Sequence, residues 1–249
     1  MLHYLALIIF GFAFLLIILE AYDKSLIALS GALLMVVLRI LTPAEAIEAI
    51  EFETILLLLG MMILVNIASK SGIFSWISLR IASLTRGNPL AIFLFFSLLT
   101  AVLSAFLDNV TTVILIVPLT IELVKGMGRD PKPYIFAEII FSNIGGTLTL
   151  IGDPPNIMIG GATGFSFLDF VLNLWIPVSI SAVLVIGVFI LTNWKKLRPI
   201  TDNLTELFVA DILIKKLTHK FLKRVLHPDF VIKVISILVL TIVMFLLDF

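Results

Sequence analysis

The chain contains no cysteine, which excludes a disulfide framework, a thiolate metal site and CxxC redox chemistry. Charge is scarce as well. Only 14% of the 249 residues are Asp, Glu, Lys or Arg and 61% are hydrophobic, against roughly 25% and 45–50% in soluble domains. With a mean hydropathy of +1.20, a soluble globule is excluded. From Pro89 to Ile121 only Asp108 is charged, and from Phe170 to Trp194 nothing is; such runs are membrane spans. The 17 bases and 17 acids cancel, so no global charge marks the chain for nucleic acid. His3, His219 and His227 have no carboxylate cluster at ligand spacing beside them, and no Ser/His/Asp set or phosphate loop accompanies the acidic candidates Asp108, Asp153 and Glu138. The sequence does not read as an enzyme.

What is present is a series of apolar runs: Leu5–Leu19, Ser25–Leu41, Thr54–Ser69, Pro89–Val124, Tyr134–Gly161, Leu174–Trp194 and Lys233–Phe249. The first lacks a basic n-region and a small-residue cleavage site, so it reads as a retained helix. Thr42–Glu53 carries Glu45, Glu48, Glu51 and Glu53 without a base, whereas Lys70–Asn88 carries Lys70, Arg80 and Arg86 without an acid. The positive-inside rule puts the second loop in the cytoplasm. With the N-terminus outside, every one of the 17 bases except Arg39 then lies on that side. This requires Pro89–Val124 to begin and end inside, as two full spans or one re-entrant hairpin. An ionised Asp at bilayer depth costs about 2.5–3.5 kcal/mol, and a tip enclosed by protein accommodates Asp108 better than an open turn. The sequence therefore predicts a hairpin. Two segments, Ile73, Phe74, Ile77, Ile81 and Leu84, and Leu204, Leu207, Phe208, Leu217, Phe221 and Val225, repeat apolar residues at helical spacing among bases. Both read as interfacial amphipathic helices on anionic lipid.

Two stretches carry chemistry. Ser142–Gly161, SNIGGTLTLIGDPPNIMIGG, sits where a span should be, yet its consecutive prolines forbid an unbroken α-helix through Asp153–Pro155. Carbonyls freed near Thr149–Gly152 then need partners, and a protein-lined cavity offers ions, substrate or water; the alternative is a surface turn joining two helices. Leu103–Pro118, LSAFLDNVTTVILIVP, holds Ser104, Asp108, Asn109, Thr111 and Thr112 in an otherwise apolar run. Ser104 and Asp108 are an i,i+4 pair, and oxygen-only side chains suit a hard cation or a proton. The alternative is a polar tip that only caps two half-helices.

Together, SNIGGTLTLIGDPPNIMIG and SAFLDNVTTVILIVP resemble the ArsB/NhaD-like permeases of the ion transporter superfamily, a group related to the melanosomal P protein and to citrate and divalent-anion transporters. The resemblance implies an all-α polytopic membrane protein, one of two inverted repeats, with a re-entrant helical hairpin and a broken transmembrane helix. Residues 1–88 would be scaffold helices with an interfacial helix. Residues 89–173 would be the transport region, with hairpin 89–125 and broken helix 134–161. Residues 174–249 would hold a return helix, a basic cytoplasmic loop and the opening of a second repeat. By the same resemblance, Ser104, Asp108, Asn109 and Thr111 at the tip, with Asn143, Gly145, Gly146, Thr147, Gly152, Asp153 and Asn156 at the helix break, would bind the transported or coupling ion. Na+ would sit at Ser104, Asp108 and Asn109.

The tip departs from the Ser-Asn-Thr of the related carboxylate transporters: Asp108-Asn109-Val110 adds a carboxylate, which favours cation or proton handling over dicarboxylate binding. The implied function is secondary active transport of an inorganic or organic anion, a metalloid oxyanion or a cation, coupled to Na+ or H+ and needing no cofactor. The alternative is a non-transporting membrane scaffold component or degenerate remnant. A homodimer, or pairing with a second-repeat chain, in the cytoplasmic membrane of a prokaryote completes the expectation, with lipid and a small ion as partners and no nucleic acid.

Overall fold

The computed structural model describes residues 2–20, 22–85, 87–198, 212, 216 and 228–247. Among these, the regular elements are helices. The chain divides into two compact units, Met1–Ile55 and Leu56–Phe249. In the first, α1 (Leu2–Ile18) packs on α2 (Lys24–Val37), followed by the short α3 (Pro43–Glu48). The Asp23 carboxylate accepts from the amides of Ser25 and Leu26 at the start of α2, and Thr42 and Glu45 form a reciprocal capping box on α3. Within α1 and α2 only Ile9 and Ile27 are buried. Phe10, Phe12, Leu29 and Leu33 face outward, an arrangement that suits hydrocarbon rather than water.

The chain enters the second unit along α4 (Phe52–Lys70), and α5 (Ile73–Thr85) turns from it by 57°. Gly72 stands at the corner with φ 79°, a left-handed conformation that glycine adopts without a Cβ penalty. Of the stripe expected to meet lipid, Phe74 is buried, and Ile77 and Ile81 pack against the main core. α5 lies against α6 (Pro89–Ser104) and α7 (Asn109–Gly126), so protein occupies that apolar face, while Trp76 and Leu84 stay exposed. The second basic amphipathic segment, Leu204–Val225, lies outside the described residues but for 212 and 216, as do Arg86, His219 and His227.

The core forms where α6, α7 and α8 (Lys132–Gly146) meet, with Ile92, Phe93 and Phe96, Ile116, Leu119 and Leu123, and Tyr134 and Ala137 all buried. The Asn88 side chain starts α6 by accepting from the amides of Leu90 and Ala91. α9 (Pro154–Thr163) follows α8 after a non-helical stretch, α10 (Phe167–Leu197) runs for 31 residues, and α11 is Pro228–Leu246. By length and composition, α7, α10 and α11 can each cross a membrane, and α4 with α5, bent by 57°, adds a fourth if the pair is taken as one span. Val183, Leu184, Val188 and Leu191 of α10 are all exposed. The fold is that of an all-α polytopic membrane protein.

At one end of this unit Lys196 Nζ lies 2.8 Å from Asp130 Oδ2, and Arg129 Nη1 donates to the Lys196 carbonyl at 2.8 Å. The loop between α7 and α8 and the end of α10 therefore share a side, as the charge distribution requires. The Lys196 ammonium, and after it the Lys132 amide, hold the Asp130 carboxyl below the usual carboxylate range. The folded state favours the ionised form, so this contribution is present above the unfolded pKa and is lost as pH falls through the folded one; for an exposed pair it is small. Asp169, the third residue of α10, forms a capping box with Ser166.

Since the chain has no native cysteine, its sidedness is directly testable. Lys132→Cys should be shielded from an impermeant thiol reagent in intact cells, and Phe165→Cys, on an exposed residue before α10, should be labelled. The reverse pattern would overturn the assigned orientation.

Candidate ion site at the hairpin tip and helix break

Three pieces of chain converge at the site. α6 ends at Ser104, Ala105 is its cap, and α7 begins at Asn109. Because the helix stops there, Ser104 and Asp108 do not share a helix face as the i,i+4 spacing suggested. Asp108 instead caps α7, its Oδ2 accepting from Thr111 N at 2.9 Å. Asn109 takes the place beside Ser104: fully buried Ser104 donates from Oγ to Asn109 Oδ1 at 2.6 Å. The same Asn109 donates from Nδ2 to Asn143 Oδ1 at 3.3 Å and to Asp153 Oδ2 at 3.2 Å. One amide thus ties the hairpin tip to the end of α8 and the start of α9.

The break is longer than the two prolines alone require. α8 ends at Gly146 with Thr147 as its cap, and Pro154 and Pro155 open α9. The prolines do not sit inside the break; they occupy the first turn of a helix, where a missing N–H costs nothing. They also determine what Asp153 does. An N-cap carboxylate ordinarily accepts from the second or third helical amide, but Pro155 has none to give, and the Asp153 side chain makes no cap bond. Its carboxylate turns to Asn109 instead.

The carbonyls freed by the break were expected to await an ion, substrate or water. Several are met by protein: Asn156 Nδ2 lies 3.3 Å from Gly146 O, 3.1 Å from Thr147 O and 2.8 Å from Thr149 O. Thr149 Oγ1 donates to Ala105 O in the tip and accepts from Gly152 N at 3.1 Å. Sequence reasoning missed Thr149. Its signal was present, as a hydroxyl between the leucines of the motif. Glycine serves close approach here. A methyl on Gly145 would overlap the Ala101 backbone of α6, and one on Gly146 would overlap Asn109 Oδ1. Gly152 packs against Gly146 and the Ser104 carbonyl, where a Cβ would again collide.

The structure thus brings Ser104, Asn109, Asn143, Gly146, Gly152 and Asp153 together. Thr111 enters only through its amide, Gly145 through helix packing and Asn156 through the loop carbonyls. Thr147 is exposed and its hydroxyl returns to Asn143 O at 2.8 Å. The strip runs from enclosed Ser104, through half-buried Asn109 and Asp153, to exposed Asn143. Among the described residues no base pairs with Asp108 or Asp153, and no cluster of three His, Cys, Asp or Glu side chains forms a metal site. Side-chain oxygens around an unpaired carboxylate suit a hard monovalent cation or a proton more than a soft metal.

The profile of the family described as citrate transporter matches residues 14–249, covering both the hairpin and the break. The chain belongs to that family. It is also 40% identical over 174 residues to a 46 kDa membrane protein of Mycobacterium leprae, covering 68% of this chain and 41% of that one. An uncharacterized transporter of Mycobacterium tuberculosis is 38% identical over 187 residues, covering 74% of this chain and 44% of its own. The P protein of Homo sapiens is 38% identical over 191 residues, covering 73% and 23%. The chain therefore spans less than half the length of these curated relatives. Membership of the citrate transporter family agrees with the resemblance to ArsB/NhaD-like permeases drawn from the two motifs.

Proposed function

We propose that the chain is the first repeat of a secondary active transporter that moves a small inorganic or organic anion, a metalloid oxyanion or a cation, coupled to Na+ or H+. The observation that carries this reading is the three-way junction at Asn109, where a hairpin tip, a helix end and a helix start meet around the Asp153 carboxylate. Interrupted helices inside a membrane protein bring polar backbone and side chains to depths where only an enclosed cavity tolerates them. The name of the citrate transporter family and of the mycobacterial relative support transport. Carboxylates without a paired base support a cation or proton as the coupling species. On this reading the hairpin is re-entrant and the site is completed by a second copy or a second-repeat chain across exposed Asn143 and Thr147. The setting is the cytoplasmic membrane of a prokaryote, with no cofactor and no enzymatic step.

One observation favours the second reading, a scaffold component: Asp108 and Asn156 are both engaged in capping and bracing. The two readings separate in proteoliposomes containing a two-repeat protein that carries this chain. Uptake driven by an imposed Na+ or proton gradient is expected; no gradient-dependent flux of citrate, arsenite or the cations themselves would overturn the transport reading in favour of the scaffold.

A further inference from the structure

Glu138 belongs to neither the hairpin tip nor the helix break. It is the only charged side chain between Lys132 and Asp153, lies midway along α8 and is 1% exposed. Its Oε1 accepts a 2.6 Å hydrogen bond from Thr120 Oγ1 of α7. Among the described residues, its Oε2 has no partner, and neither does buried Ser97 Oγ of α6. The helix register relates the two orphans. α6 and α8 meet at the Phe93 and Tyr134 rings, 6.2 Å apart, and again at Ala101 and Gly145, so they run side by side in the same direction. Ser97 and Glu138 each stand four residues beyond the first of these contacts, at one height. Three helices therefore bring a buried hydroxyl or carboxyl to one level inside the core. A third orphan, Thr112 Oγ1, lies eight residues back along α7, about 12 Å nearer the tip.

Unpartnered buried polar atoms are rare, and each costs about 1–3 kcal/mol. An ionised carboxylate without a base costs far more. Around Glu138, α6 carries no charged residue, α7 carries Glu122 and Lys125 with Asp108 at its cap, and α10 carries Asp169, Lys195 and Lys196. Tyr134 is one turn away on α8 itself. The described ion pairs engage none of the bases with Glu138. One free carboxylate oxygen is too few to replace the hydration shell of a metal cation, but it matches a single proton.

We propose that Glu138 is a proton-binding site inside the helical hairpin assembly, distinct from the junction at Asn109. Binding adds one H+ to Oε2 and converts the carboxylate to a neutral acid, while Oε1 keeps the Thr120 bond. The site stands on the packing of α6, α7 and α8 and does not depend on the transport reading.

Infrared difference spectroscopy of the purified chain in lipid nanodiscs, stepped through pH, reads a protonated carboxyl directly. A titrating acid C=O band is expected, lost completely in Glu138→Gln and retained in Asp153→Asn. Thr120→Val should keep the band but change its frequency and displace its midpoint by about one pH unit. A band unchanged in Glu138→Gln, no acid band at any pH, or a band removed by Na+ at constant pH would overturn the proposal. If Glu138→Gln does not fold, an unshifted band in Thr120→Val overturns it equally. Loss of flux in Asp153→Asn with the Glu138 band intact would bear on the transport reading alone.

Discussion

Asp153→Asn should reduce gradient-driven flux ten- to hundredfold and change its dependence on pH or Na+, whereas Asp108→Asn should leave both within a few fold. The two residues look equivalent in sequence: each is an acid at a helix interruption, next to an asparagine or a proline. Their surroundings separate them. Asp108 accepts from Thr111 N at 2.9 Å as the cap of α7, and Asn caps a helix about as well as Asp, so its replacement keeps the tip. The Asp153 side chain makes no cap bond: Pro155 has no amide, Asn156 N goes to the Asp153 carbonyl at 3.0 Å, and the carboxylate faces Asn109 Nδ2 at 3.2 Å. An amide there removes the only charge in the junction and weakens a charge-assisted hydrogen bond of about 1.5–3 kcal/mol. Flux measured in the two-repeat protein decides the matter: if Asp153→Asn transports with unaltered ion dependence, the junction is not the coupling site.

How far the sequence foretold this arrangement depends on whether a local rule or a tertiary contact decides each feature. The break near Pro154-Pro155 and the hairpin around Asp108-Asn109 were legible because proline chemistry and the cost of an intramembrane carboxylate act locally. Their details were not. Ser104 and Asp108 satisfy i,i+4 spacing only if α6 continues past Ser104, and it stops there; the partner of Ser104 is Asn109. The stripe on α5 read as lipid-facing because its apolar residues lie among Arg80 and three serines, a pattern equally produced by a helix docked on protein. Bases at positions such as Lys125, Arg129, Lys195 and Lys196 set the expected sidedness, and the Asp130–Lys196 pair places the α7–α8 loop and the end of α10 on one side. The bracing of the loop by Asn156 and Thr149 follows from contacts seven to 44 residues apart in sequence, which no local pattern encodes.

The largest stability loss is expected at Asn156. Its side-chain amide is the shared donor for the carbonyls of Gly146, Thr147 and Thr149, and the residue is only 8% exposed. These groups lie where α8 has ended and α9 has not begun, so no helical amide can replace the donor. Asn156→Ala removes both N–H groups and leaves two or three buried acceptors unmet, at about 1–3 kcal/mol for each lost partner. Its loss should also loosen Thr149, and with it the tie to Ala105 in the hairpin tip. Asn156→Asp makes the sharper test, because it keeps the shape, deletes the donors and sets a carboxylate against carbonyl oxygens. It should be at least as destabilising as alanine near neutral pH and recover part of the loss on acidification, when the protonated acid regains one donor. Thermal unfolding of the purified variants in detergent, followed across pH, measures both effects. Equal stability of wild type and Asn156→Asp at neutral pH would show that the loop carbonyls are satisfied by something other than this amide.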